Sequence, residues 1–361
     1  MTSQRTALSH EARSVLDFLG SIKGRYILSA QHNYPSTGDQ YVRRVFEMTG
    51  KHPLIWGSDF SFRLLSERIG QHFHCGPLNL SDVGVQPVRF LDVTVEQARD
   101  AVVRTAIEQH RAGHMVTLMW HGCYPPHGDT GDFDSVWTYG KSPDAAAWKE
   151  LTTPGSALFR QWAEQVDRIA EHLRRLRDSG VPVLWRPYHE MNGVWFWWCN
   201  RKGPDGFRRL WRQMYDRFTN RHRLDNLIWV WNANAPRDNP GDEAYDYRDF
   251  YPGADCVDVL AADVYRNDYR QSHHDDLLEL ADGKPIALGE VGEVPSLQVL
   301  DAQSQWTWFM PWGAVIYRGA NTAAVPELYS SPRTLSLEDV RRNTAGEYSL
   351  VGRSQRQGFG P

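Results

Sequence analysis

The sequence predicts a single (β/α)8 barrel, an α/β fold with long loops at the C-terminal face of its strands. Three observations carry that expectation. Eight short, mostly continuous apolar runs punctuate the 361 residues. Continuous rather than alternating apolar character marks parallel strands buried on both faces. Amphipathic stretches separate the runs, and regular strand–helix alternation gives parallel α/β folds. No linker, low-complexity tract or charge block divides the chain. One barrel domain is therefore expected over 1–361, with a core of about 20–340 and a polar, Gly-rich tail over 341–361 that docks loosely.

In chain order the expected strands are RYILSAQ (25–31), PLIWGSD (53–59), HMVTLMW (114–120), PVLWRPY (182–188), NLIWVWN (226–232), CVDVLAAD (256–263), KPIALGE (284–290) and WGAVIYR (312–318). The clearest helices are EARSVLDFLGSI, VEQARDAVVRTAIEQHRA, ALFRQWAEQVDRIAEHLRRLRDSG and GFRRLWRQMYDRFTNRH. The third ends in Asp-Ser-Gly, a helix stop, before Val-Pro-Val opens a strand. Two segments are too long for simple connections, an insertion over roughly 60–90 and a loop over 121–150. Long loops beyond barrel strands are where binding surfaces are built.

Composition narrows the function. A formal net charge of −4 gives no basic footprint for nucleic acid or an anionic membrane, and neither partner is expected. No window approaches 18 consecutive apolar residues, the length a membrane span requires. The N-terminus lacks the apolar core of a signal peptide, as in a cytoplasmic protein or a secreted one written without its leader. Cys75, Cys123, Cys199 and Cys256 form no CxxC pair and read as free thiols. His72, His74 and Cys75, and likewise His273, His274, Asp275 and Asp276, lack a second half with zinc spacing. They read as a polar loop and a helix start, and no metal or cofactor is expected. The aromatic content is unusual, with 15 Trp, 15 Tyr and 14 Phe. Most of these rings are core, but indole faces also suit sugar rings.

The stretch WRPYHEMNGVWFWW (185–198) sets one carboxylate, Glu190, among aromatic rings at the end of the fourth strand. Glu290 ends the seventh. The two are 100 residues apart, and three β/α units of roughly 31 residues come to about 94. Side chains at C-terminal strand ends converge over the barrel mouth. Two carboxyls meeting there suit glycoside hydrolysis with retention, one as acid/base and one as nucleophile. Glu293, three residues on, competes for the second role, but Glu290 terminates the apolar run. Alternatively, a strand-end Glu could simply be a surface residue or pair with Arg186.

RPYHEMNGVWFWW resembles the strand-4 signature of glycoside hydrolase family 26, best known for endo-β-1,4-mannanases. Trp120-His121, Asp263-Val264-Tyr265, KPIALGEVG, WFMPWG and ELYSSPRTLSLEDV extend the resemblance over most of 20–340. It implies a retaining, endo-acting hydrolase of β-1,4-mannosidic bonds, with Glu190 as acid/base and Glu290 as nucleophile. His189 would orient the carboxyls, Trp195 would line the leaving-group side, and Tyr265 would hydrogen-bond the nucleophile. Trp312 would be the stacking floor under the sugar at the cleavage point, and His121 would contact the sugar opposite. Trp137 and Asn192 complete the expected substrate-binding set. The partner is a polysaccharide or oligosaccharide, and a monomer is expected. Mixed-linkage β-glucanases and β-1,3-xylanases use the same machinery. A sugar-binding barrel without catalysis is the other alternative, against which the presence of both carboxyls counts.

Overall fold

A computed structural model describes residues 7–34, 39–61, 94–128, 135–138 and 143–351. Eight parallel strands close on themselves: β1 Ile27–His32, β2 Ile55–Asp59, β3 Met115–Trp120, β4 Val183–Pro187, β5 Leu227–Asn234, β6 Val259–Val264, β7 Ile286–Val291 and β8 Trp306–Pro311. Each pairs with the next, and β8 pairs with β1, which completes the barrel. All eight strands are buried along their whole length, as their continuous apolar character requires.

The helices start and stop on local chemistry. α1 (His10–Ile22) is capped by Ser9, whose hydroxyl accepts from the Ala12 N–H at 3.2 Å. Between it and the next capped helix lies α2 (Gln40–Thr49). α3 (Val95–Arg111) opens on a reciprocal capping box between Thr94 and Gln97. After the short α4 (Ala145–Leu151), α5 (Ala157–Asp178) begins at Ser156 and stops before Gly180, whose φ is 69°. α6 (Phe207–Asp216), α7 (Gln271–Ala281), α8 (Leu297–Ala302) and α9 (Gly319–Ser330) complete the outer ring.

Inside the barrel, Leu28, Ile55, Met115, Leu184, Ile228, Val259, Ala287 and Trp308 form one cluster with Ala12, Val15 and Leu19 of α1. The N-terminal helix thus plugs the end of the barrel away from the site. A second, larger cluster lies between the strands and the outer helices. Cys123, Cys199 and Cys256 are buried. Among the described residues no helix is long and apolar enough to cross a membrane.

Two expectations need correction. The eighth strand is Trp306–Pro311, not 312–318; Gly313–Tyr317 forms a 3-10 turn instead. Pro311 has no N–H to extend a ladder, and Gly313 turns the chain at a φ of 47°. The described part of the tail, 341–351, is also more ordered than expected. Val340–Arg342 and Tyr348–Leu350 pair as an antiparallel hairpin, docked on α1 through Ser14 and His10. Most of the 60–90 insertion, with His72, His74 and Cys75, lies outside the described residues.

Candidate active site

The site is built where β3 to β8 end. After Pro187 the chain takes two left-handed steps, at Tyr188 (φ 47°) and Glu190 (φ 53°). Such conformations cost a non-glycine residue about 1–3 kcal/mol each. Neighbouring contacts hold them: the Glu190 N–H donates to the Asn232 carbonyl at 2.8 Å, and the Glu190 carbonyl accepts from the Gly193 N–H at 2.9 Å. The carboxyl of Glu190 then faces two donors. Trp195 Nε1–H donates to Oε2 at 2.7 Å, and the Asn234 amide donates to Oε1. Trp195 folds back this tightly because Gly193 lacks a side chain; a Cβ there would stand 2.4 Å from the indole. Burial raises the Glu190 carboxyl above its ordinary value, against the pull of Asn234, Arg237 and Trp195.

Glu290 reaches the same space from β7. The β6–β7 register slips so that Asp263 lies opposite Glu290 and Gly289 is passed over. A Cβ at Gly289 would stand 1.8 Å from Asn232 Oδ1, so only glycine fits the slip. Both terminal nitrogens of Arg186 lie 3.3 Å from Glu290 Oε1, and the Tyr265 hydroxyl donates to Oε2 at 2.9 Å. Burial pushes this carboxyl up to about 7; Arg186 opposes the shift and the charge of Glu190 adds to it. The two carboxyls therefore titrate as a unit. The fixed guanidinium at Glu290 favours negative charge there and the shared proton on Glu190.

His189 stands between them, its Nε2 4.0 Å from Glu190 Oε2 and 3.5 Å from Glu290 Oε1. Burial, with His121 and Arg186 nearby, keeps it neutral. His121 follows β3 and is fixed by a 2.6 Å contact from Nδ1 to the buried Asp59 carboxylate. Trp312 follows β8 and lies face to face on His32 at 3.9 Å between ring centres. Trp137 packs edge-on against Phe196 at 4.7 Å.

These side chains enclose a cleft of about 490 Å³. It is lined by His121, Trp137, His189, Glu190, Trp195, Tyr265, Glu290 and Trp312, eight of the nine expected residues. Asn192 is the exception and is corrected here. It is fully buried beneath the cleft, its amide donating to the carbonyls of Asn234 and Tyr245 at 2.8 Å each while Oδ1 accepts from the Asn234 N–H. No group is left for a sugar. Glu293 also stays off the cleft wall, paired with Arg318 at 3.2 Å. Of the aromatic run after Glu190, Trp197 and Trp198 are core. Their indoles donate to the carbonyls of Gly122 and His189, which braces the strained segment from behind.

Sequence reasoning missed Asp59, Asn234 and Arg237; it named Arg186 only as a partner for a strand-end Glu, and the structure pairs it with Glu290. Asp59 and Asn234 carry the signal that found the two glutamates, a polar side chain closing an apolar strand. Asp263 shares that signal, and burial followed by the charges of Glu290 and Glu190 pushes its carboxyl well above the ordinary carboxylate range. His189, Asp263 and Glu290 bring ligand-type atoms within 4.8 Å of one another. Arg186 occupies the same corner, and its fixed charge opposes a second cation. The chemistry available is proton sharing and nucleophilic attack.

The sequence model of glycosyl hydrolase family 26 matches residues 89–336. The chain belongs to that family. Both carboxyls and every aromatic residue named in the cleft wall fall inside the matched span. The family 26 chain is 42% identical to GH26A from Muricauda sp. MAR_2010_75, with a TM-score of 0.81 over 94% of this chain and 100% of that one. The β-mannanase from a symbiotic protist of the termite Reticulitermes speratus, solved with a gluco-manno-oligosaccharide, is 26% identical, with a TM-score of 0.72 over 92% and 95% of the two chains. A mannan endo-1,4-beta-mannosidase of Thermothelomyces thermophilus is 32% identical over 91% of this chain. The chain spans 61% of that protein's length and 53% of a related Piromyces mannosidase.

Proposed function

We propose that this family 26 chain is a retaining, endo-acting hydrolase of β-1,4-mannosidic bonds in mannan-type polysaccharides. The observation that supports it most directly is one imidazole nitrogen, on His189, reaching both carboxyls at 4.0 and 3.5 Å. Those reaches bound the separation of the two oxygens at no more than 7.5 Å, which admits the about 5–5.5 Å of retaining enzymes and only the short end of the about 6.5–9.5 Å of inverting ones. The unequal partners divide the labour. Glu290, held by Arg186 and Tyr265, is the nucleophile; Glu190, held by neutral donors, is the acid.

In the first step a Glu290 oxygen bonds to the anomeric carbon as the bond to the leaving sugar breaks. Glu190 gives its proton to the departing oxygen. Neutralising Glu290 as the ester removes the charge beside Glu190, which is left as a carboxylate. In the second step Glu190 takes a proton from water, the hydroxyl attacks the anomeric carbon, and Glu290 leaves as a carboxylate. Trp312 forms the floor under the reacting sugar and His121, oriented by Asp59, contacts it from the side. The mannan preference is supported by the β-mannanase and mannan endo-1,4-beta-mannosidase relatives; the residues of the cleft support the mechanism.

The test is hydrolysis of linear β-1,4-mannan, glucomannan, mixed-linkage glucan and β-1,3-xylan with products resolved by size and anomer. Internal cleavage of mannan with β-anomers formed first is expected. First-formed α-anomers would refute retention, monosaccharide release alone would refute endo action, and preference for either of the last two substrates would reassign the class.

A further inference from the structure

Both groups that donate to Glu190 are themselves held by one side chain, Arg237. It lies in the segment after β5 and is largely buried, with 15% of its side chain exposed. One terminal nitrogen donates to Asn234 Oδ1. That contact fixes which way the Asn234 amide points, leaving its N–H group toward Glu190 Oε1. The guanidinium also stacks over Trp195, 5.0 Å from the ring centre, and Trp195 supplies the donor to Oε2. Arg237 is in turn anchored on Asp242, with Nε donating to the Asp242 carbonyl at 2.8 Å and to Oδ2 at 3.1 Å, and the second terminal nitrogen donating to Oδ1 at 2.7 Å. The backbone of Arg237 pairs with Ala244 in both directions at 2.9 Å, so the segment carrying it closes as a small hairpin. Arg266 also reaches Asp242 Oδ2 at 2.8 Å.

We propose that Arg237 is a positioning residue for the acid/base: its planar fork, clamped on Asp242, locks the Asn234 amide and the Trp195 indole in the one arrangement that presents a donor to each oxygen of Glu190. The proposal rests on the reading of Glu190 as acid/base. The geometry has a chemical consequence. Neither an indole N–H nor an amide N–H can accept a proton. His189 Nε2, at 4.0 Å, lies beyond hydrogen-bond range. Of the other charged and titratable groups around this carboxyl, Glu290, Asp263 and Tyr265 reach the space from the β6–β7 side and His121 from β3. Arg237 is the cation on the β5 side. A proton on Glu190 is thus directed to the glycosidic oxygen in the cleft. Without Arg237 the Asn234 amide is free to flip and offer its oxygen to Glu190, which would accept that proton in a hydrogen bond and hold it back.

The test uses Arg237→Met and Arg237→Lys with two substrates, a mannan oligosaccharide and an aryl β-mannobioside whose leaving group needs no protonation. The readout is kcat/KM, which reports the first bond cleavage. General acid help is worth about 10²–10⁴-fold, and misplacing the acid should forfeit part of it. Arg237→Met should lower kcat/KM on the oligosaccharide by about 10–100-fold while changing the aryl substrate less than about threefold. Arg237→Lys keeps the charge but not the fork, so it should show the same split. The alkaline limb of the kcat/KM profile should move to higher pH in Arg237→Met and stay near wild type in Arg237→Lys, because only the former removes the cation. Equal loss on both substrates, or full activity in Arg237→Lys on the oligosaccharide, would overturn the proposal. Azide release of the glycosyl-enzyme from Glu190→Ala is the control for the acid/base assignment. Its failure would remove that assignment and the proposal with it; its success with an equal loss in Arg237→Met would reject the role of Arg237 alone.

Discussion

Removing the hydroxyl of Tyr265 should move the pH at which the enzyme becomes active. In the structure that hydroxyl donates to Glu290 Oε2 at 2.9 Å. The phenol's own ionisation is pushed well above its ordinary value by burial and by the neighbouring carboxyls, so it remains a donor throughout the working range. Hydrogen bonds to charged groups contribute about 1.5–3 kcal/mol. One pKa unit corresponds to about 1.36 kcal/mol, so Tyr265→Phe should raise the carboxyl of Glu290 by roughly one to two units. The sign follows from the role. In the proposed mechanism Glu290 must be ionised to attack, and burial already pushes its carboxyl up to about 7. The acid limb of the kcat/KM profile on mannan oligosaccharides should therefore shift to higher pH. Activity at pH 6 should fall about ten- to a hundredfold while that at high pH falls much less. Phenylalanine keeps the ring against Gly292, whose missing Cβ makes room for it, so the fold should survive. A uniform loss at every pH with an unmoved acid limb would refute the argument and assign the hydroxyl to the sugar.

Glu290→Gln should abolish turnover on every substrate in a folded protein, as read by burst and steady-state assays; full activity would send the nucleophile elsewhere, with Glu293 next to test. The same variant tests the burial of the charge. A carboxyl raised from 4.5 to about 7 on folding lowers stability as pH rises through that window, because the unfolded chain then binds fewer protons than the folded one. The melting temperature of Glu290→Gln relative to wild type should thus increase between pH 4.5 and 7, and a flat difference would count against it. Gly289→Ala should destabilise by about 1–3 kcal/mol in urea unfolding and cut activity, since Asn232 must move and Asn232 anchors Arg186 at 2.6 Å; wild-type behaviour would show that the register slip can relax. Trp312→Phe should lower kcat as well as kcat/KM, whereas Trp137→Ala should mainly raise KM; a large drop in melting temperature with normal kcat in the former would leave Trp312 only a structural role.

How much of this was legible in the sequence depended on the range of the interaction. Strands buried on both faces announce themselves by composition, and a carboxylate closing such a strand stands out. That was enough to read the barrel and to single out Glu190 and Glu290, which the structure brings to one cleft. Strand β8 was misplaced because WTWFMPWGAVIY (306–317) is almost apolar throughout and offers two windows of strand length. The earlier window is the strand, since Pro311 cannot continue the ladder and Gly313 turns away from it. The error matters for function: Trp312 stands just beyond the end of its strand, where barrel sites are built, and not at its beginning.

The hydrogen-bonded layer behind the carboxyls was not legible at all, and two asparagines show why. Asn192 is two residues from the acid and Asn234 is 44 away, yet it is Asn234 that touches Glu190. Local spacing favours Asn192. The left-handed steps at Tyr188 and Glu190 reverse that preference by swinging the carboxyl over the cleft while the following turn drops beneath it. Neither position is a glycine, so no residue type marks the turn. The indoles of Trp197 and Trp198 and the carbonyl of Asn232 hold it in place, and the last of these comes from another strand. Once the turn is held, Asn192 can only serve backbone groups, and the free donor falls to the strand end that lies nearest in space. The orientation of that donor depends on Arg237, three residues further on. A pattern of residue types can thus locate the reacting carboxyls, but their proton traffic is set by contacts whose partners are brought together only by the closed barrel.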